Sequence, residues 1–344
     1  MNKKILVTGA TGYIGSHTLV DLIEQGYEAV SLDNESNSSK DVLDAVKEIT
    51  GYRCPHHTVD LCDYNGTREV FLQHGEIKGI IHFAALKAVG ESVEQPLRYY
   101  ENNLVSLLNI LKLSKEFNVE AFVFSSSCTV YGDVSTSPVD ENTPWQEAAS
   151  PYGQTKQMGE KIIENVIPTT NIKAINLRYF NPAGAHPSGL IGESPRNAPQ
   201  NLVPVITETA IGKRKDMTVF GDDYSTRDGS CIRDYIHVCD LAHAHTLALD
   251  YIFSKKQNKP VEVFNLGIGD GLSVLEIIRT FEEVTGESLN YHIGPRRPGD
   301  VVAIFSNYEK AKKELGWSPQ YKVKDIMKTA WIWEKNRQKE FNIQ

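Results

Sequence analysis

The fold of this chain is decided by the stretch Lys3-Lys4-Ile5-Leu6-Val7-Thr8-Gly9-Ala10-Thr11-Gly12-Tyr13-Ile14-Gly15-Ser16. An apolar, strand-like run ends at Gly9, and glycines recur at Gly12 and Gly15 before a helical pattern begins. A strand that ends in a glycine-rich turn and opens a helix forms an anion site. Gly9 permits the tight turn, Gly12 lets the backbone approach a pyrophosphate, and Gly15 lets the helix pack closely on the strand. The free N–H groups at the helix N-terminus favour bound phosphate.

The context of this motif matters, because ordinary turns are also rich in glycine. A second strand-like run, residues 29–32, ends in Asp33, eighteen residues after Gly15. In dinucleotide-binding folds, an acidic residue at this distance hydrogen-bonds the adenosine ribose. The same acid would repel a 2′-phosphate, so the sequence predicts binding of NAD rather than NADP.

The composition limits the class of protein. A chain of 344 residues is long enough for one large core or two lobes. Its net charge of −8 argues against nucleic acid or an acidic membrane as the main partner. We expect neither a signal segment nor a membrane span, because strand one starts almost immediately and the apolar segments are short. The five cysteines lack metal-type spacing, which predicts reduced thiols in a cytoplasm and no metal site.

Strand-like and helical segments alternate through the first half of the chain. Strands are predicted near residues 57–59, 79–85, 121–125 and 172–178, and helices over 40–50, 97–115 and 150–166. This alternation is typical of an α/β fold with a Rossmann-type doubly wound parallel sheet. Beyond residue 182 the alternation stops and long polar loops appear. We therefore predict a NAD-binding Rossmann domain over 1–182 and a smaller α/β substrate lobe over 183–344. Strands from about 235–270 are expected to return to the sheet.

Polar and small residues follow the predicted strands, at the edge where such sheets bind ligands. Asp60 suits the adenine amino group, and Ala84-Ala85 would let a ligand approach closely. Lys87 would lie near the phosphates or a ribose; the alternative is a solvated loop lysine. The pair Asn102-Asn103 is either a helix-packing device or an anchor for the loop under the nicotinamide.

A candidate catalytic group follows the strand that ends in Ser125-Ser126-Ser127. Tyr152 and Lys156 come next, one helical turn apart and therefore on one face. A lysine ammonium beside a tyrosine lowers the pKa of the phenol, which then becomes a usable base near neutral pH. The alternative is a surface tyrosine–lysine pair. The glycine motif and the serine-ended strand favour the catalytic interpretation.

The second lobe contains residues that suit a nucleotide diphosphate. Arg233 and Arg297 lie in polar loops, and arginine binds phosphate through paired hydrogen bonds. Phe220 and Tyr235 would flank a base or a ribose. Each residue alone is weak support, because loop arginines are usually solvated and aromatic residues usually belong to the core.

With these motifs in view, nearly the whole chain resembles the UDP-glucose 4-epimerases, which belong to the extended short-chain dehydrogenase/reductase superfamily. The resemblance rests on residues 8–17, 33–34 with 37–38, 83–92, 125–132, 152–156, 178–187 and 233–238. It implies a tightly bound NAD that is regenerated in each cycle, a role in galactose metabolism, and a homodimer built on helices 97–115 and 152–166. The apolar faces of those helices are equally explained as ordinary sheet-packing faces.

The resemblance also implies a mechanism. Tyr152 would remove the proton of the sugar 4-hydroxyl, and Ser127 would hydrogen-bond that oxygen. Lys156 would lower the pKa of the tyrosine and hold the nicotinamide ribose. Hydride passes from carbon 4 to NAD, the resulting 4-keto sugar turns over about the pyrophosphate, and hydride returns to the opposite face. Anchoring would therefore fall on UDP rather than on the hexose.

The resemblance implies the following binding residues. The NAD site would include Gly9, Gly12, Tyr13, Ile14, Gly15, Asp33, Asn34, Asn37, Ser38, Asp60, Leu61, Phe83, Ala84, Ala85, Lys87, Asn102, Ser125, Tyr152, Lys156 and Phe180. The UDP-sugar site would include Lys87, Ser127, Thr129, Tyr152, Phe180, Asn181, Asn201, Leu202, Thr218, Phe220, Arg233, Arg297, Asp300 and Ile304. Ile304 stands where some members that exclude N-acetylated sugars carry a bulky tyrosine, so acceptance of UDP-N-acetylhexosamines is left open.

Two other functions compete with this one. Nucleotide-sugar dehydratases resemble the same fold, but they carry a Thr-Asp-Glu set for water elimination. The corresponding place here is Ser127-Cys128-Thr129, without carboxylates, which argues against elimination. Some relatives are non-catalytic NAD sensors, and these tend to lose the tyrosine or the lysine. Both residues are present here together with Ser127, which favours an enzyme.

Overall fold

The computed structural model describes residues 3–297 and 300–341. The strands are β1 (Lys4–Thr8), β2 (Glu28–Asp33), β3 (His56–Thr58), β4 (Ile77–His82), β5 (Ala121–Ser125), β6 (Lys173–Tyr179), β7 (Asn181–Ala183), β8 (Met217–Phe220), β9 (Ile232–Arg233), β10 (Tyr235–His237), β11 (Val261–Leu266), β12 (Leu272–Ser273), β13 (Tyr291–Gly294) and β14 (Ala303–Ile304). The α-helices are α1 (Tyr13–Glu24), α2 (Val42–Thr50), α3 (Tyr64–His74), α4 (Val89–Glu94), α5 (Pro96–Glu116), α6 (Pro151–Val166), α7 (Leu202–Ala210), α8 (Val238–Phe253), α9 (Val274–Thr285), α10 (Glu309–Glu314) and α11 (Val323–Phe341). Short 3-10 helices span Cys128–Tyr131 and Ile167–Thr169.

A seven-stranded sheet with the order β3-β2-β1-β4-β5-β6-β11 forms the centre of the molecule. Every neighbouring pair in it is parallel. The strand order reverses between β1 and β4, and a doubly wound sheet opens its ligand crevice at that point. The predicted fold class is therefore confirmed. The late strand β11 lies beside β6 at the edge of this sheet.

Both faces of the sheet are covered by helices, which explains the continuous apolar strands. Val7 and Ile81 pack with Leu249 of α8 on one face, where α8 also packs against α1. Leu6 packs with Ile110 of α5 on the other face, where α5 packs against α6. Each fully buried side chain of this kind contributes roughly 1.5–3 kcal/mol. The predicted helices over 40–50, 97–115 and 150–166 match α2, α5 and α6, whereas α3 and α4 were not predicted.

The second lobe has its own core and its own small sheets. Strand β9 lies between β12 and β14, and β8 pairs with β13. Helices α7, α9 and α11 contribute Ile206, Phe281 and Trp331 to a separate hydrophobic cluster. The lobe joins the sheet domain through β10, which pairs with β7 directly after β6. Among the described helices, none has the length and apolar character that a bilayer crossing requires.

Four histidines are buried in the described part of the chain, each no more than 2% exposed. Burial holds the pKa of His17, His82 and His237 near 3 and that of His245 near 4. In the unfolded chain these rings titrate near their ordinary pKa of about 6.5. Between these values the unfolded state therefore binds more protons than the folded state. The histidines stabilise the fold above pH 6.5, and this contribution is lost as the pH falls.

We predict that the protein loses about 5 kcal/mol of unfolding free energy between pH 7.5 and pH 5.5. Each buried histidine contributes about 1.4 kcal/mol to this loss. Asp240 partly offsets it, because burial raises the pKa of that carboxyl to about 6. Urea unfolding at the two pH values measures the change.

The variant His17→Asn provides the control for this prediction. The imidazole Nδ1 of His17 lies 2.7 Å from the Tyr13 carbonyl oxygen, and an asparagine amide offers a donor that does not titrate. The variant should lose about 1.4 kcal/mol less than the wild type over the same pH interval. Equal stability of the wild type at both pH values would contradict the role assigned to the histidines.

Candidate active site

The turn after β1 brings the backbones of β1, α1 and β4 close together. Gly9 has a φ of +68°, and a Cβ there would lie 2.8 Å from the Ala84 backbone nitrogen. A Cβ on Gly15 would lie 2.2 Å from the Gly9 carbonyl oxygen. A side chain at either position would force these elements apart. Gly12 precedes α1 directly, and only the Gly9 carbonyl oxygen, at 3.2 Å, lies near its Cβ position. Its backbone is therefore open to a bound phosphate.

The carboxyl end of β2 carries the acid that the sequence indicated. Asp33 is 8% exposed, and its Oδ1 accepts hydrogen bonds from the Glu35 N–H at 2.8 Å and the Ser38 hydroxyl at 3.2 Å. Its Oδ2 accepts from the Thr11 N–H at 3.2 Å. These bonds fix the carboxylate at the edge of the crevice, where ribose hydroxyls would need an acceptor. The glycine turn, the helix N-terminus and this carboxylate together fit NAD.

The other predicted cofactor residues lie along the same edge of the sheet. They are Tyr13 and Ile14 in the first turn of α1, Asn34, Asn37 and Ser38 after β2, Asp60 and Leu61 after β3, Phe83 and Ala85 after β4, Asn102 on α5, and Phe180 between β6 and β7. The Tyr13 hydroxyl donates to the Gly184 carbonyl at 2.6 Å and so connects α1 to the second lobe. The Asn34 amide donates to Asp60 at 3.0 Å, so the ends of β2 and β3 are linked.

The loop after β4 is held by an asparagine of α5. Asn103 accepts from the Leu86 N–H at 2.8 Å and donates to the Leu86 carbonyl at 3.0 Å. It also donates to the Thr155 hydroxyl on α6 at 3.1 Å. Of the asparagine pair, Asn103 is therefore the residue that anchors the loop after β4. The Asn102 amide donates to the Asn103 side-chain oxygen at 2.9 Å. Lys87, in the same loop, is half-exposed and forms an ion pair of 3.5 Å with Glu193.

The candidate catalytic residues meet at the carboxyl end of β5. Lys156 is buried, and its Nζ donates to the Ser125 carbonyl at 2.7 Å and lies 5.8 Å from the centre of the Tyr152 ring. The Ser127 hydroxyl accepts from the Thr129 N–H at 3.2 Å. The Ser125 hydroxyl shares a hydrogen bond of 2.7 Å with the Tyr179 hydroxyl. The tyrosine, the lysine and the serines therefore form one cluster.

The electrostatics of this cluster correct one expectation from the sequence. Burial raises the pKa of Tyr152 above its ordinary value, and the nearby Tyr179 adds to the increase. A hydrogen bond with Ser127 acts in the opposite direction but is weaker. Burial also lowers the pKa of Lys156 to about 8, although the Glu160 carboxylate opposes this shift. The expected lowering of the tyrosine pKa by Lys156 is therefore outweighed, because desolvation disfavours both charged forms.

A buried ion pair that the sequence analysis missed lies beneath this cluster. Glu160, one helical turn after Lys156, is fully buried and accepts hydrogen bonds from Arg178 at 2.7, 2.9 and 3.3 Å. It also accepts from the Ser126 hydroxyl at 2.5 Å. Arg178 donates further to the Tyr131 hydroxyl at 3.1 Å. The pair holds α6, which carries Tyr152 and Lys156, against β6. The position of Glu160 four residues after Lys156 was the feature of the sequence that could have indicated this ion pair.

The second lobe brings two arginines onto one carboxylate. Arg233 donates to Asp300 at 3.1 Å and to the Val301 carbonyl at 2.7 Å. Arg297 donates to both oxygens of the same carboxylate group, at 2.8 and 3.2 Å, and its guanidinium lies 5.6 Å from the centre of the Phe220 ring. The structure thus places Arg233, Arg297, Asp300 and Phe220 together, and arginine side chains of this kind can bind phosphate groups.

The strands β9 and β14 form one wall of this site. They are held together by hydrogen bonds of Asp234 that the sequence analysis did not predict. Asp234 is fully buried and accepts from the Ile268 N–H at 2.7 Å and from the N–H and hydroxyl of Ser306, at 3.0 and 2.6 Å. It fixes β9 beside β14, where Ile304 pairs with Arg233. Ile304 is buried and packs in a cluster with Phe180.

The remaining predicted substrate residues lie on several different elements. They are Thr129 in the 3-10 helix after β5, Asn181 at the start of β7, Asn201 before α7, Leu202 at the start of α7 and Thr218 on β8. The Thr129 hydroxyl is buried and has no hydrogen-bond partner among the described residues. The Asn201 amide donates to Glu193 at 2.8 Å, and Thr218 shares a bond of 3.1 Å with His292 on the neighbouring strand.

We predict that Glu160→Ala lowers the unfolding free energy by about 3–5 kcal/mol, because it leaves the Arg178 charge buried and unpaired. The matched control is Glu164→Ala on the same helix, where the carboxylate pairs with Lys161 at a partly exposed site. That variant should lose less than about 0.5 kcal/mol. Urea unfolding of both variants measures the difference, and equal losses would contradict the assigned importance of the buried pair.

Comparisons with known proteins agree with this geometry. A family model described as GDP-mannose 4,6 dehydratase matches residues 6–330. The UDP-glucose 4-epimerase of Bacillus subtilis (strain 168) is 47% identical over 331 residues, which cover 96% of each chain. The UDP-glucose 4-epimerase of Stenotrophomonas maltophila, solved with bound NAD and formylated UDP-arabinopyranose, has a TM-score of 0.95 at 39% identity and covers 98% of this chain and 100% of its own.

A second solved structure supports the same relationship. The UDP-glucose 4-epimerase of Bifidobacterium longum, in complex with NAD+ and UDP, is 43% identical and has a TM-score of 0.93. The alignment covers 98% of this chain and 99% of that one. The family model carries the name of a dehydratase, whereas these full-length relatives are epimerases. The absence of carboxylates in Ser127-Cys128-Thr129 agrees with the relatives. This chain belongs to the UDP-glucose 4-epimerase family.

Proposed function

We propose that this chain interconverts UDP-glucose and UDP-galactose by inverting carbon 4 through a 4-keto intermediate, with Tyr152, Ser127 and Lys156 as its catalytic residues. The observation that carries the proposal is the buried Tyr152–Lys156–Ser127 cluster at the carboxyl end of β5, beside a cradle that fits NAD. The NAD and UDP in the solved relatives support it. A role in galactose metabolism follows from this reaction.

The residues that would hold NAD lie along the crevice between β1 and β4. The turn from Gly9 to Gly15 would bind the diphosphate, Asp33 the adenosine ribose, and Lys156 the nicotinamide ribose. When bound, NAD is the oxidant that accepts the hydride from carbon 4 and then returns it to the other face of the keto sugar.

The proton of the 4-hydroxyl would pass to Tyr152. Because burial raises the pKa of this phenol, the reactive phenolate needs a nearby positive charge. Lys156 supplies part of it, since a pKa of about 8 leaves its ammonium mostly protonated at pH 7, and the positively charged nicotinamide of bound NAD would add to it. Ser127 would hydrogen-bond the same sugar oxygen and orient it toward the tyrosine. When the hydride returns, Tyr152 gives the proton back.

The sugar has to present both faces in turn, so the nucleotide must carry the binding energy. Arg233 and Arg297, aligned by Asp300, would bind the diphosphate, and Phe220 would contact the uridine. Asn181, whose amide donates to the Asp234 carbonyl at 3.2 Å, is held at the border of the two lobes.

The organisation of the chain is part of the proposal. Residues 1–182, with the returning segment around 235–270, would bind NAD, and residues 183–344 would mainly bind the UDP-sugar. A homodimer through α5 and α6 is supported by apolar side chains on their surfaces, since Leu97 is 81% and Met158 40% exposed. A cytoplasmic location stays a prediction, supported by five free thiols.

A second activity, on UDP-N-acetylhexosamines, is supported by Ile304. This side chain lies in the wall formed by β9 and β14, beside Phe180, and it is smaller than a tyrosine. A solved relative from Campylobacter jejuni, 37% identical, is a UDP-Glc/GlcNAc 4-epimerase. An aliphatic residue here would leave room for an N-acetyl group.

We predict that Tyr152→Phe lowers the turnover of UDP-galactose at least about 100-fold, because removal of a general base typically costs a factor of 100 to 10,000. The assay follows formation of UDP-glucose with no added NAD. The control Tyr64→Phe alters a tyrosine bonded to Glu116 on the outer surface and should keep full turnover. The proposal fails if Tyr152→Phe keeps more than a tenth of wild-type turnover. A product lighter by one water would instead identify a dehydratase.

We predict that the wild type converts UDP-N-acetylgalactosamine, and that Ile304→Tyr lowers its kcat/KM relative to that for UDP-galactose by about tenfold or more. The tyrosine ring would fill the space that an N-acetyl group requires. Ile304→Val, which enlarges the same pocket slightly, should leave the ratio near the wild-type value. An unchanged ratio in Ile304→Tyr would show that this residue does not select the sugar.

A further inference from the structure

A segment of the second lobe contacts two loops at the carboxyl edge of the sheet, one after β2 and one after β4. Glu193 forms an ion pair of 3.5 Å with Lys87 in the loop after β4. Arg196, three residues further on, donates a hydrogen bond to the Ser38 carbonyl in the loop after β2. These two contacts lie on opposite sides of β1, since the order of the strands is β2-β1-β4.

The dimensions of the segment match this crossing. Two strand spacings of about 4.8 Å separate β2 from β4, which gives about 10 Å. Three extended residues reach at most about 10 Å. Because the side chains of Arg196 and Lys87 extend the reach at either end, the segment from Glu193 to Arg196 is long enough to span β1. The glycine turn that would bind the diphosphate lies directly after β1, between the two contacts.

The segment is also fixed to the second lobe at both of its ends. The Glu193 carbonyl accepts from the Trp333 indole N–H at 3.0 Å, and its carboxylate accepts from Asn201 at 2.8 Å. The Pro199 carbonyl accepts from Arg214 at 3.1 Å. Release of the segment from the loops after β2 and β4 therefore needs the loss of its contacts with Lys87 and Ser38, while a hydrogen bond of 3.2 Å from Arg337 to the Ser194 hydroxyl connects it to α11.

We propose that residues 193–199 form a strap that closes over bound NAD and keeps the cofactor in the enzyme between turnovers. The inference rests on the NAD site of the proposed function and assigns the retention of NAD to particular contacts. Glu193 and Arg196 act as positioning residues. NAD leaves when both the ion pair to Lys87 and the hydrogen bond to the Ser38 carbonyl are broken at the same time.

The test measures the release of NAD directly. Purified enzyme with its bound NAD is mixed with an excess of isotopically heavy NAD, and the bound cofactor is weighed by mass spectrometry over time. Arg196→Ala should accelerate the exchange about fivefold to tenfold, since it removes one solvent-exposed hydrogen bond. Glu193→Gln keeps an oxygen that can accept from Asn201 but loses the charge that pairs with Lys87. The double variant should exchange faster than either single variant.

The control is Arg53→Ala, which removes an exposed arginine bonded to Asp44 of α2, before β3 and away from the carboxyl edge. It should exchange NAD at the wild-type rate. Thermal unfolding of each variant verifies that it is folded. If the wild type and all strap variants exchange NAD at the same rate, or if none of them exchanges it, the proposed role of the strap is contradicted. A wild type that retains NAD but does not convert UDP-galactose contradicts the proposed function alone, and a wild type without NAD contradicts both.

Discussion

The close approach of the Gly9 turn to the end of β4 is the constraint on which the rest of the structure depends. No atom larger than hydrogen fits between Gly9 and the Ala84 backbone, so β1 and β4 meet without an intervening side chain. At this same place the strand order reverses and the sheet opens a crevice. The N-terminus of α1 is thereby directed at the crevice, and Asp33 of the neighbouring strand lies at its rim. The cofactor site is therefore a consequence of backbone packing.

The catalytic cluster depends on a different principle, because it is built on buried charge. Lys156 and Tyr152 are both shielded from water, and burial disfavours the charged form of each. Glu160 restores part of the preference of Lys156 for its charged form, while Arg178 balances the carboxylate. The network fixes the helix that carries both reactive groups. The phenolate of Tyr152 is therefore favoured only when a positive charge lies beside it. Removal of the proton thus depends on a fully assembled site.

Much of the fold and part of the site could be predicted because they depend on local patterns. The glycine turn, Asp33 and the strand that ends in Ser127 are each visible within a few residues of sequence. The contacts of Glu193 and Arg196 were not, because they join segments more than a hundred residues apart. The spacing of Tyr152 and Lys156 correctly indicated a cluster, but the direction of the tyrosine pKa shift was wrong. The spacing of two residues on a helix predicts that their side chains lie close together, whereas the pKa depends on how deeply the whole fold buries them.

The distribution of fixed contacts agrees with a reaction that inverts one carbon of a sugar. At the nucleotide end, Asp300 holds two guanidinium groups in place, and Asp234 locks the strand beneath them. At the cofactor end, the sheet edge and the residues of the strap enclose the crevice. The space between contains Tyr152, the proposed proton-transfer group, and the aliphatic side chain of Ile304. A keto sugar that is gripped by its nucleotide alone can rotate there, because binding energy is concentrated on the part of the substrate that does not react.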